Sequence, residues 1–316
     1  MPANREEEWV LAHLSDPHLT RLEGMPVTKL LNKRLLGYLS WRRRRRHEHL
    51  PEVLDALIAD IGQIKPDHIA ITGDLTHLGT PGEFDEAAAW LRRIGRPADV
   101  TLVPGNHDAY VAEPWANTLS RWAPYMASDE GTADGNGGRD SLFPSLRIRG
   151  RFALIGVNSA VPSAPLLAVG RVGRSQLSVL SQMLRQTGTD GLFRILLIHH
   201  PPVPGSIRWR KRLTDAAKLA SVIEKQGVEL VLHGHAHRSS LNWTRAPGAK
   251  APVIGVCSAS ELNERASRRA QYHIYRFSNR PERPEMTVLV REYSPRAGCF
   301  LAIDRWQVDV EPRTES

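Results

Sequence analysis

Short apolar runs recur along the first 235 residues, and segments with apolar positions at helical spacing separate them. Runs of four to six residues that are rich in β-branched side chains are typical of buried strands. They predict strands at Trp9–Leu14, His68–Thr72, Val100–Val103, Phe152–Val157, Arg194–Ile198 and Glu229–Leu232. The 3.6-residue pattern predicts helices at Pro51–Ile64, Pro81–Ile94, Ser175–Gln186 and Thr214–Gln226. This alternation favours a layered α/β fold with largely buried strands.

The pattern changes after Val253, where strand-like runs follow one another without a convincing helix between most of them. These runs lie at Pro252–Cys257, Tyr272–Phe277, Met286–Glu292 and Phe300–Val310. We therefore expect a β-rich C-terminal part from about residue 252 that completes an antiparallel sheet. No internal repeat or clear linker interrupts the chain, so we predict a single domain over residues 1–316.

Composition narrows the class of protein. The chain has 316 residues, of which 41% are hydrophobic and 24% charged, so it is long and apolar enough to bury a large core. Its two cysteines, Cys257 and Cys299, cannot form a disulfide framework, and their scarcity suits a reducing compartment. Residues 1–9 carry Arg5 and three glutamates where a secretory signal needs an apolar stretch. With no apolar run that could span a bilayer, we expect a cytoplasmic protein.

The net charge of +8 is concentrated in one segment. Eight basic residues and a single glutamate lie between Lys29 and His49, so this segment supplies seven of the eight net positive charges. It belongs to an insertion at about residues 24–49, in which apolar residues recur at helical spacing before the run Arg42–Arg46. A single basic block indicates a local docking surface rather than nonspecific nucleic-acid binding by the whole chain.

Polar residues that can bind metals follow five of the predicted strands. They are Asp16-Pro17-His18, Gly73-Asp74, Gly105-Asn106-His107-Asp108, His199-His200 and His233-Gly234-His235-Ala236-His237. Each motif has a plain structural explanation, because Asp, Asn and Gly are common in tight turns. The joint pattern is more informative, since the carboxyl ends of strands in α/β sheets line the ligand crevice. Histidines spaced by one residue on an extended chain can also approach a single metal centre.

Taken in order, these five motifs resemble the signature of the calcineurin-like metallophosphoesterase superfamily, over roughly residues 9–260. The resemblance implies a four-layer α/β/β/α sandwich of two mixed sheets flanked by helices. It also implies two divalent or mixed-valence metal ions (Mn, Fe or Zn), held by Asp16, His18 and His237 on one side and by Asn106, His199 and His235 on the other, with Asp74 bridging them.

The resemblance further implies catalytic roles and a chemistry. His107 would stabilise the transition state or protonate the departing oxygen, and Asp108 would fix its orientation. Two metals can together activate a bridging hydroxide and hold a phosphate for in-line attack. His200 and His233 then become supporting or structural residues. Among the histidines outside the motifs, five are predicted to be structural or solvent-exposed: His47, His49, His68, His77 and His273.

Two loops bear a looser resemblance to the branch related to cyclic-nucleotide and glycerophosphodiester phosphodiesterases. They are Asn158-Ser159 and Gly170-Arg171-Val172-Gly173, which could equally be ordinary loops. The leading prediction is a metal-dependent phosphoesterase that hydrolyses a phosphodiester or related phosphate ester. An alternative is a pyrophosphate hydrolase acting on a lipid-linked nucleotide, similar to a UDP-diacylglucosamine hydrolase. A non-enzymatic alternative is a docking module on an inactive fold.

The basic insertion admits four interpretations. It can be a helix packed on the domain with a solvated basic end, which the helix dipole favours, or a lid over the active site. It can also be an amphipathic anchor in which Tyr38 and Trp41 meet a lipid interface while Lys29–Arg46 contact anionic headgroups on the inner face of a membrane. Nucleic acid is a less favoured partner for the same arginines.

Overall fold

The computed structural model describes residues 8–19, 22, 33–43, 48–131, 142–262, 269–278 and 285–309. Within these ranges the strands are β1 (Glu8–Leu14), β2 (His68–Ile71), β3 (Val100–Leu102), β4 (Ser145–Arg149), β5 (Phe152–Val157), β6 (Phe193–Ile198), β7 (Leu230–His233), β8 (Ser240–Ala246), β9 (Ala249–Gly255), β10 (Gln271–Ser278), β11 (Glu285–Ser294) and β12 (Cys299–Asp309). The helices are α1 (Arg34–Arg43), α2 (Pro51–Ile64), α3 (Pro81–Ile94), α4 (Ala123–Met126), α5 (Arg174–Thr189) and α6 (Ala216–Gln226).

The strands form two mixed six-stranded sheets. The first has the order β12-β11-β10-β1-β2-β3, in which β1, β2 and β3 are parallel and β10 to β12 antiparallel. The second has the order β4-β5-β6-β7-β9-β8, with four parallel strands between the antiparallel edge strands β4 and β8. The predicted α/β class with two mixed sheets is therefore confirmed.

The protein has four layers, helices, sheet, sheet and helices, and an apolar cluster lies between each pair of neighbouring layers. Leu57 of α2 and Phe84 of α3 pack on the outer face of the first sheet. Leu180 of α5 and Leu219 of α6 cover the outer face of the second sheet in the same way. The inner faces meet in a third cluster that includes Leu11 of the first sheet. Burial of both faces of each sheet explains why most of its central strands read as continuous apolar runs.

The loop between β2 and α3 is anchored by the cap of the helix it enters. Thr80 accepts a hydrogen bond from the Glu83 backbone nitrogen, and the Glu83 carboxylate accepts from the Thr80 backbone nitrogen, which forms a capping box. The same carboxylate accepts hydrogen bonds from the backbone nitrogens of His77 and Leu78, at 2.9 and 3.1 Å. The cap of α3 therefore also fixes the backbone around His77.

The structure corrects two expectations about strands. Edge strands β4 and β8 have no counterpart in the sequence prediction, because their apolar and polar residues alternate instead of forming apolar runs. The predicted antiparallel C-terminal sheet is right for β10, β11 and β12, but it is wrong for the run at 252–257. That run lies largely in β9, which joins the second sheet parallel to β7.

The described part of the insertion is the helix α1, and it packs on the protein body. Trp41 is buried against Leu22 and Leu78, so it does not occupy the lipid-facing position expected of an anchor. Arg34 is also buried, and its Nε donates a hydrogen bond to the Leu78 carbonyl oxygen at 3.0 Å. Residues 24–32 and 44–47, with the rest of the predicted amphipathic helix, lie outside the described residues. Across the described chain, every helix is too short or too polar to cross a bilayer.

Candidate metal centre

The ligand candidates converge at one end of the two sheets. All seven follow the C-terminal ends of parallel strands β1, β2, β3, β6 and β7: Asp16, His18, Asp74, Asn106, His199, His235 and His237. Six of them form two groups in which all ligand atoms lie within 4.8 Å of one another, namely Asp16 with His18 and His237, and Asp74 with His199 and His235. The seventh joins the second group, since Asn106 Oδ1 lies 3.1 Å from His199 Nε2.

The backbone is strained at five of these seven residues. Their φ angles are positive: 54° at Asp16, 45° at His18, 55° at Asp74, 65° at His235 and 50° at His237. Residues other than glycine rarely adopt this region, at a cost on the order of 1–3 kcal/mol each. In the described chain only two other non-glycine residues have positive φ, Lys65 and Leu166. Such strain is concentrated at functional sites, where the surrounding structure enforces it.

Backbone carbonyls orient two of the imidazoles. His18 donates a hydrogen bond from Nδ1 to the Thr76 carbonyl oxygen at 3.1 Å, and His199 donates from Nδ1 to the Thr72 carbonyl oxygen at 2.6 Å. A carbonyl oxygen can only accept, so each Nδ1 carries a proton and Nε2 is the ligand atom of the neutral ring. His199 Nε2 lies 3.3 Å from Asp74 Oδ2, which directs this lone pair into the second group.

The two histidines after β7 are held through opposite ring nitrogens. His237 Nδ1 lies 2.8 Å from Glu261 Oε2, and its Nε2 lies 3.1 Å from Asp16 Oδ1. His235 instead donates from Nε2 to the Lys211 carbonyl oxygen at 2.9 Å, which leaves Nδ1 for the second group. A carboxylate behind a metal-binding imidazole raises its basicity and fixes its orientation, and Glu261 occupies that position.

The charge of the site suits cations. Burial disfavours protonated imidazole, yet Asp74 raises the pKa of His199 to about 9 and Asp16 raises the pKa of His237 to about 9. Asp16 Oδ1 is buried, and His237 Nε2 lies 3.1 Å from it. A buried carboxylate needs a positive partner, which can be the protonated His237 ring or a metal ion. The negative charge that favours imidazole protonation favours metal ions equally, so the donor set fits metal binding.

His107 faces the cavity beside the two groups and is positioned by the loop after β2. Its Nδ1 donates to the His77 carbonyl oxygen at 2.6 Å, and its backbone nitrogen donates to Asp74 Oδ1 at 2.7 Å. The side chain is partly exposed and lines the cavity. The hydrogen bond to the carbonyl therefore fixes the orientation of the ring and places the proton of the neutral imidazole on Nδ1.

Asp108 makes contacts other than the expected one. We expected it to orient the His107 ring, but its buried carboxylate accepts hydrogen bonds from the backbone nitrogens of Asp74, Thr76 and Gly105 at 2.8–2.9 Å. Burial together with the Asp74 charge raises the pKa of Asp108 to about 7. Asp108 therefore ties the loop after β2 to the loop after β3, and the His77 carbonyl orients His107.

Sequence reasoning missed three residues of the site. Glu261 lies six residues after the end of β9. The sequence signal that indicates it is therefore a polar residue after a further strand, in addition to the five strands that carry the motifs. His49 lies with its ring centroid 4.8 Å from that of His18, and the His77 ring centroid lies 5.3 Å from that of His107. Both were predicted to be structural or exposed. His68 and His273 are buried away from the two groups, as that prediction implied, and His47 lies outside the described residues.

His200 and His233 are buried next to the site. His200 Nδ1 lies 2.8 Å from Ser159 Oγ, and its ring centroid lies 4.4 Å from that of His235. A Cβ atom on Gly170 would lie 2.4 Å from His200 Nδ1, so the loop can pass here only with glycine. His233 donates from Nδ1 to the Gly234 carbonyl oxygen at 3.0 Å. Both loops that bear the looser resemblance, the one with Ser159 and the one with Gly170, therefore pack against the His200 ring.

Two adjoining cavities open over the site. One of about 240 Å³ covers the two groups and is lined by Asp74, His237 and Glu261 among others. The second, of about 320 Å³, extends between α1, residues 166–168 and residues 208–211. The two cavities share Ser40, Asn106, His107, Ala168 and Lys211. Helix α1 is therefore a wall of the cavity, which combines the packed-helix and lid interpretations of the insertion.

The α/β/β/α sandwich carries two groups of His and Asp side chains at its strand ends, an arrangement suited to an active site that binds metal ions. The chain belongs to the calcineurin-like phosphoesterase family, whose model matches residues 10–239. Members of this family use a dinuclear metal centre, and the two groups fit it.

Among curated relatives, the chain is similar to a cAMP/cGMP dual specificity phosphodiesterase of Mycobacterium tuberculosis, with 30% identity over 74% of this chain and 63% of that protein. It is also similar to a probable cyclic nucleotide phosphodiesterase of Rhodococcus erythropolis, with 28% identity over 68% of this chain and 64% of the relative. The match thus spans slightly less than two thirds of these relatives.

Solved structures share the fold at low sequence identity. A dimetal phosphatase from Danio rerio superimposes with a TM-score of 0.62 at 13% identity, over 96% of this chain and 99% of that one. A purple acid phosphatase from yellow lupin seeds superimposes with a TM-score of 0.54 at 12% identity, over 96% of this chain and 54% of that one. These likenesses support the four-layer fold.

We predict that Glu261→Gln weakens metal retention at the first group. The change removes the carboxylate charge behind His237, and loss of such a partner lowers metal affinity by about 10- to 100-fold. Metal content measured by mass spectrometry after dialysis against graded chelator gives the result. Glu292→Gln is the control, because its carboxylate contacts Gln271 at 2.8 Å and lies outside both groups. Equal retention by both variants and the wild type would contradict the role of Glu261.

Proposed function

We propose that this protein is a metal-dependent phosphodiesterase that hydrolyses a phosphodiester or related phosphate ester. The observation that carries the proposal is the convergence of two strained His/Asp groups and the His107 ring at one cavity. Family membership supports the reaction class. The names of the relatives make cyclic nucleotides the first substrates to test.

The proposed ligand set divides between the two groups. Asp16, His18 and His237 would hold one metal, Asn106, His199 and His235 the second, and Asp74 would lie between them. Mixed nitrogen and oxygen donors of this kind suit Mn, Fe or Zn. When bound, the metal pair supplies Lewis-acid stabilisation of the phosphate and a lowered pKa for water.

The protein's own groups provide position and proton transfer. His107 lines the cavity, and in its protonated imidazolium form it would donate the Nε2 proton to the departing ester oxygen, a role that histidine fills near neutral pH. The hydrogen bond from the His107 backbone to Asp74 couples the position of this acid to the ligand between the two metals. Asp108 would have an indirect role, because it holds together the two loops that carry Asp74 and His107.

The test combines metal content with a substrate series. Purified protein should contain about two metal ions per chain. Chelation should remove hydrolysis of bis(p-nitrophenyl) phosphate, and reloading with Mn, Fe or Zn should restore it. Cyclic AMP, cyclic GMP and phosphomonoesters tested in parallel define the ester class. Protein that binds no metal and cleaves none of these esters would favour the alternative of a docking module.

We also propose that residues 1–316 act as one cytoplasmic unit. The C-terminal strands β10 to β12 extend the sheet that contains β1, so the β-rich part belongs to the same sandwich. Both cysteines are free, with Cys257 buried and Cys299 exposed, as suits a reducing compartment.

An anionic membrane surface is a proposed partner of helix α1. Leu35 and Leu39 are 44% and 41% exposed, and Arg42 and Arg43 extend from the same helix into solvent. Exposed leucines beside arginines suit an anionic lipid interface, to which each arginine near the surface contributes on the order of 1 kcal/mol.

Arg42→Gln/Arg43→Gln should therefore bind anionic vesicles about 10- to 30-fold more weakly than wild type. Sedimentation with phosphatidylserine vesicles at low salt gives the measurement. The matched control is Arg92→Gln/Arg93→Gln, an exposed pair at the end of α3. Wild-type protein that stays in the supernatant at low salt would exclude this partner.

A further inference from the structure

The two adjoining cavities have opposite charge. The cavity over the metal groups is lined by three acidic residues, Glu48, Asp74 and Glu261, and by one basic residue, Lys211, which also lines the larger cavity. The larger cavity is lined by Lys33, Arg208, Arg210 and Lys211, and none of its described lining residues is acidic. A cleft lined by one sign of charge concentrates ligands of the opposite sign. One end of the combined cleft is therefore suited to cations and the other to anions.

The basic end is built into the fold by its backbone. The basic turn, residues 208–212, lies between β6 and α6, and its Arg210 carbonyl oxygen accepts a hydrogen bond from the Ala168 nitrogen at 2.9 Å. The Arg212 carbonyl oxygen accepts from the Gly170 nitrogen at 3.1 Å. The Lys211 carbonyl oxygen accepts from His235 Nε2, so one bond joins the turn to a proposed metal ligand. The backbone of this turn is thus fixed in position relative to the metal groups, and its exposed basic side chains extend from it.

Lys33 places a further cation on the opposite wall. Its Nζ donates to Ser163 Oγ at 2.9 Å and to the Leu167 carbonyl oxygen at 3.2 Å, and it lies 4.6 Å from the centroid of the Tyr110 ring. These contacts are neutral, so they leave the positive charge of Lys33 available to a ligand. Two segments therefore bring positive charge to the cavity: Lys33, directly before α1, and the basic turn with Arg208, Arg210 and Lys211.

A phosphodiester does not need this much positive charge. Its single negative charge would already be met by the metal pair, which makes the cations of the larger cavity a surplus. Guanidinium groups match the oxygens of phosphate through paired hydrogen bonds. We propose that the larger cavity is a subsite for a second phosphate group, and that the preferred substrate is a phosphate ester that carries one. This inference rests on the proposed function and narrows its substrate class.

The second phosphate takes no part in bond breaking. Water adds its oxygen to the phosphorus at the metal groups, the ester bond to that phosphorus breaks, and the departing oxygen receives a proton. The second phosphate stays intact on the substrate and is held by Arg208 and Arg210. Its contribution is binding and orientation, so it lowers the substrate concentration at which the enzyme works.

The test compares AMP and ADP as inhibitors of bis(p-nitrophenyl) phosphate hydrolysis, because they differ by one phosphate. Wild type should bind ADP at least about tenfold more tightly than AMP, the gain expected from one charge-assisted contact. In Arg208→Gln/Arg210→Gln the ratio of the two inhibition constants should fall below about threefold. The control is Arg212→Gln, an exposed residue of the same turn that is not among the lining residues and whose guanidinium lies 6.0 Å from the Trp209 ring centroid. It should keep the wild-type ratio.

Two results would overturn the subsite. One is equal inhibition of the wild type by AMP and ADP, and the other is an unchanged ratio in the double variant. Metal chelation by ADP would affect all three proteins alike, so it cannot produce the expected difference. If bis(p-nitrophenyl) phosphate is not hydrolysed, the proposed function fails. Titration calorimetry of metal-loaded protein with AMP and ADP still measures the ratio in that case.

Discussion

Replacing Asp74 by Asn is expected to abolish phosphodiester hydrolysis while the fold stays largely intact. Asp74 is buried, its Oδ2 lies 3.3 Å from His199 Nε2, and its Oδ1 accepts the His107 backbone hydrogen bond. Asn has nearly the same shape but lacks the charge that would hold two cations. Turnover of bis(p-nitrophenyl) phosphate, metal content and the thermal unfolding midpoint together show whether the loss is chemical or structural. Asn106→Ala, which removes a ligand from the second group, should also abolish turnover.

The control for Asp74→Asn is Asp55→Asn, which removes the same charge from an exposed ion pair with Arg93 on the surface of α2. Exposed pairs of this kind contribute little to stability, about 0–1 kcal/mol, so turnover and fold should both be retained. Wild-type turnover by pure Asp74→Asn protein, free of contaminating activity, would show that the assignment of a dinuclear centre is wrong.

Changing His107 to Ala is expected to lower turnover by about 10²- to 10⁴-fold, the range for loss of a general acid, with metal content still near two per chain. The structure gives His107 a place beside the metal groups and a fixed Nδ1, which leaves Nε2 for proton transfer. Metal analysis of the variant separates this role from that of a ligand. Loss of a metal together with turnover would make His107 a ligand or a structural support.

A second variant separates proton transfer from positioning. In His107→Asn the side-chain amide can replace the hydrogen bond to the His77 carbonyl oxygen, but it has no group that titrates near neutral pH. If His107 donates the proton, the Asn and Ala variants should lose turnover to a similar extent. Near wild-type turnover in the Asn variant would instead mean that His107 only positions the loop after β3.

Contacts between distant segments account for the parts of the site that sequence reasoning did not find. Glu261 meets His237, and the His77 carbonyl rather than Asp108 holds the His107 ring. The basic turn escaped notice because its charges are balanced by acidic residues elsewhere in the chain, so that net charge pointed only to the insertion. Charge counted along the sequence does not report which cations line a cavity.

The sequence by itself determined the alternation of buried strands and helices, and with it the α/β class and the five motifs at strand ends from which the family resemblance selects seven candidate ligands. These are properties of local pattern, because continuous apolar runs mark strands covered on both faces and the residues after them must lie at one end of the sheet. Only the tertiary structure decided that Glu261 lies behind His237, that β4 and β8 close the edges of the second sheet, and that α1 and the basic turn line a basic cavity beside the acidic one. Each depends on contacts between residues far apart in the chain, which periodicity and spacing do not encode.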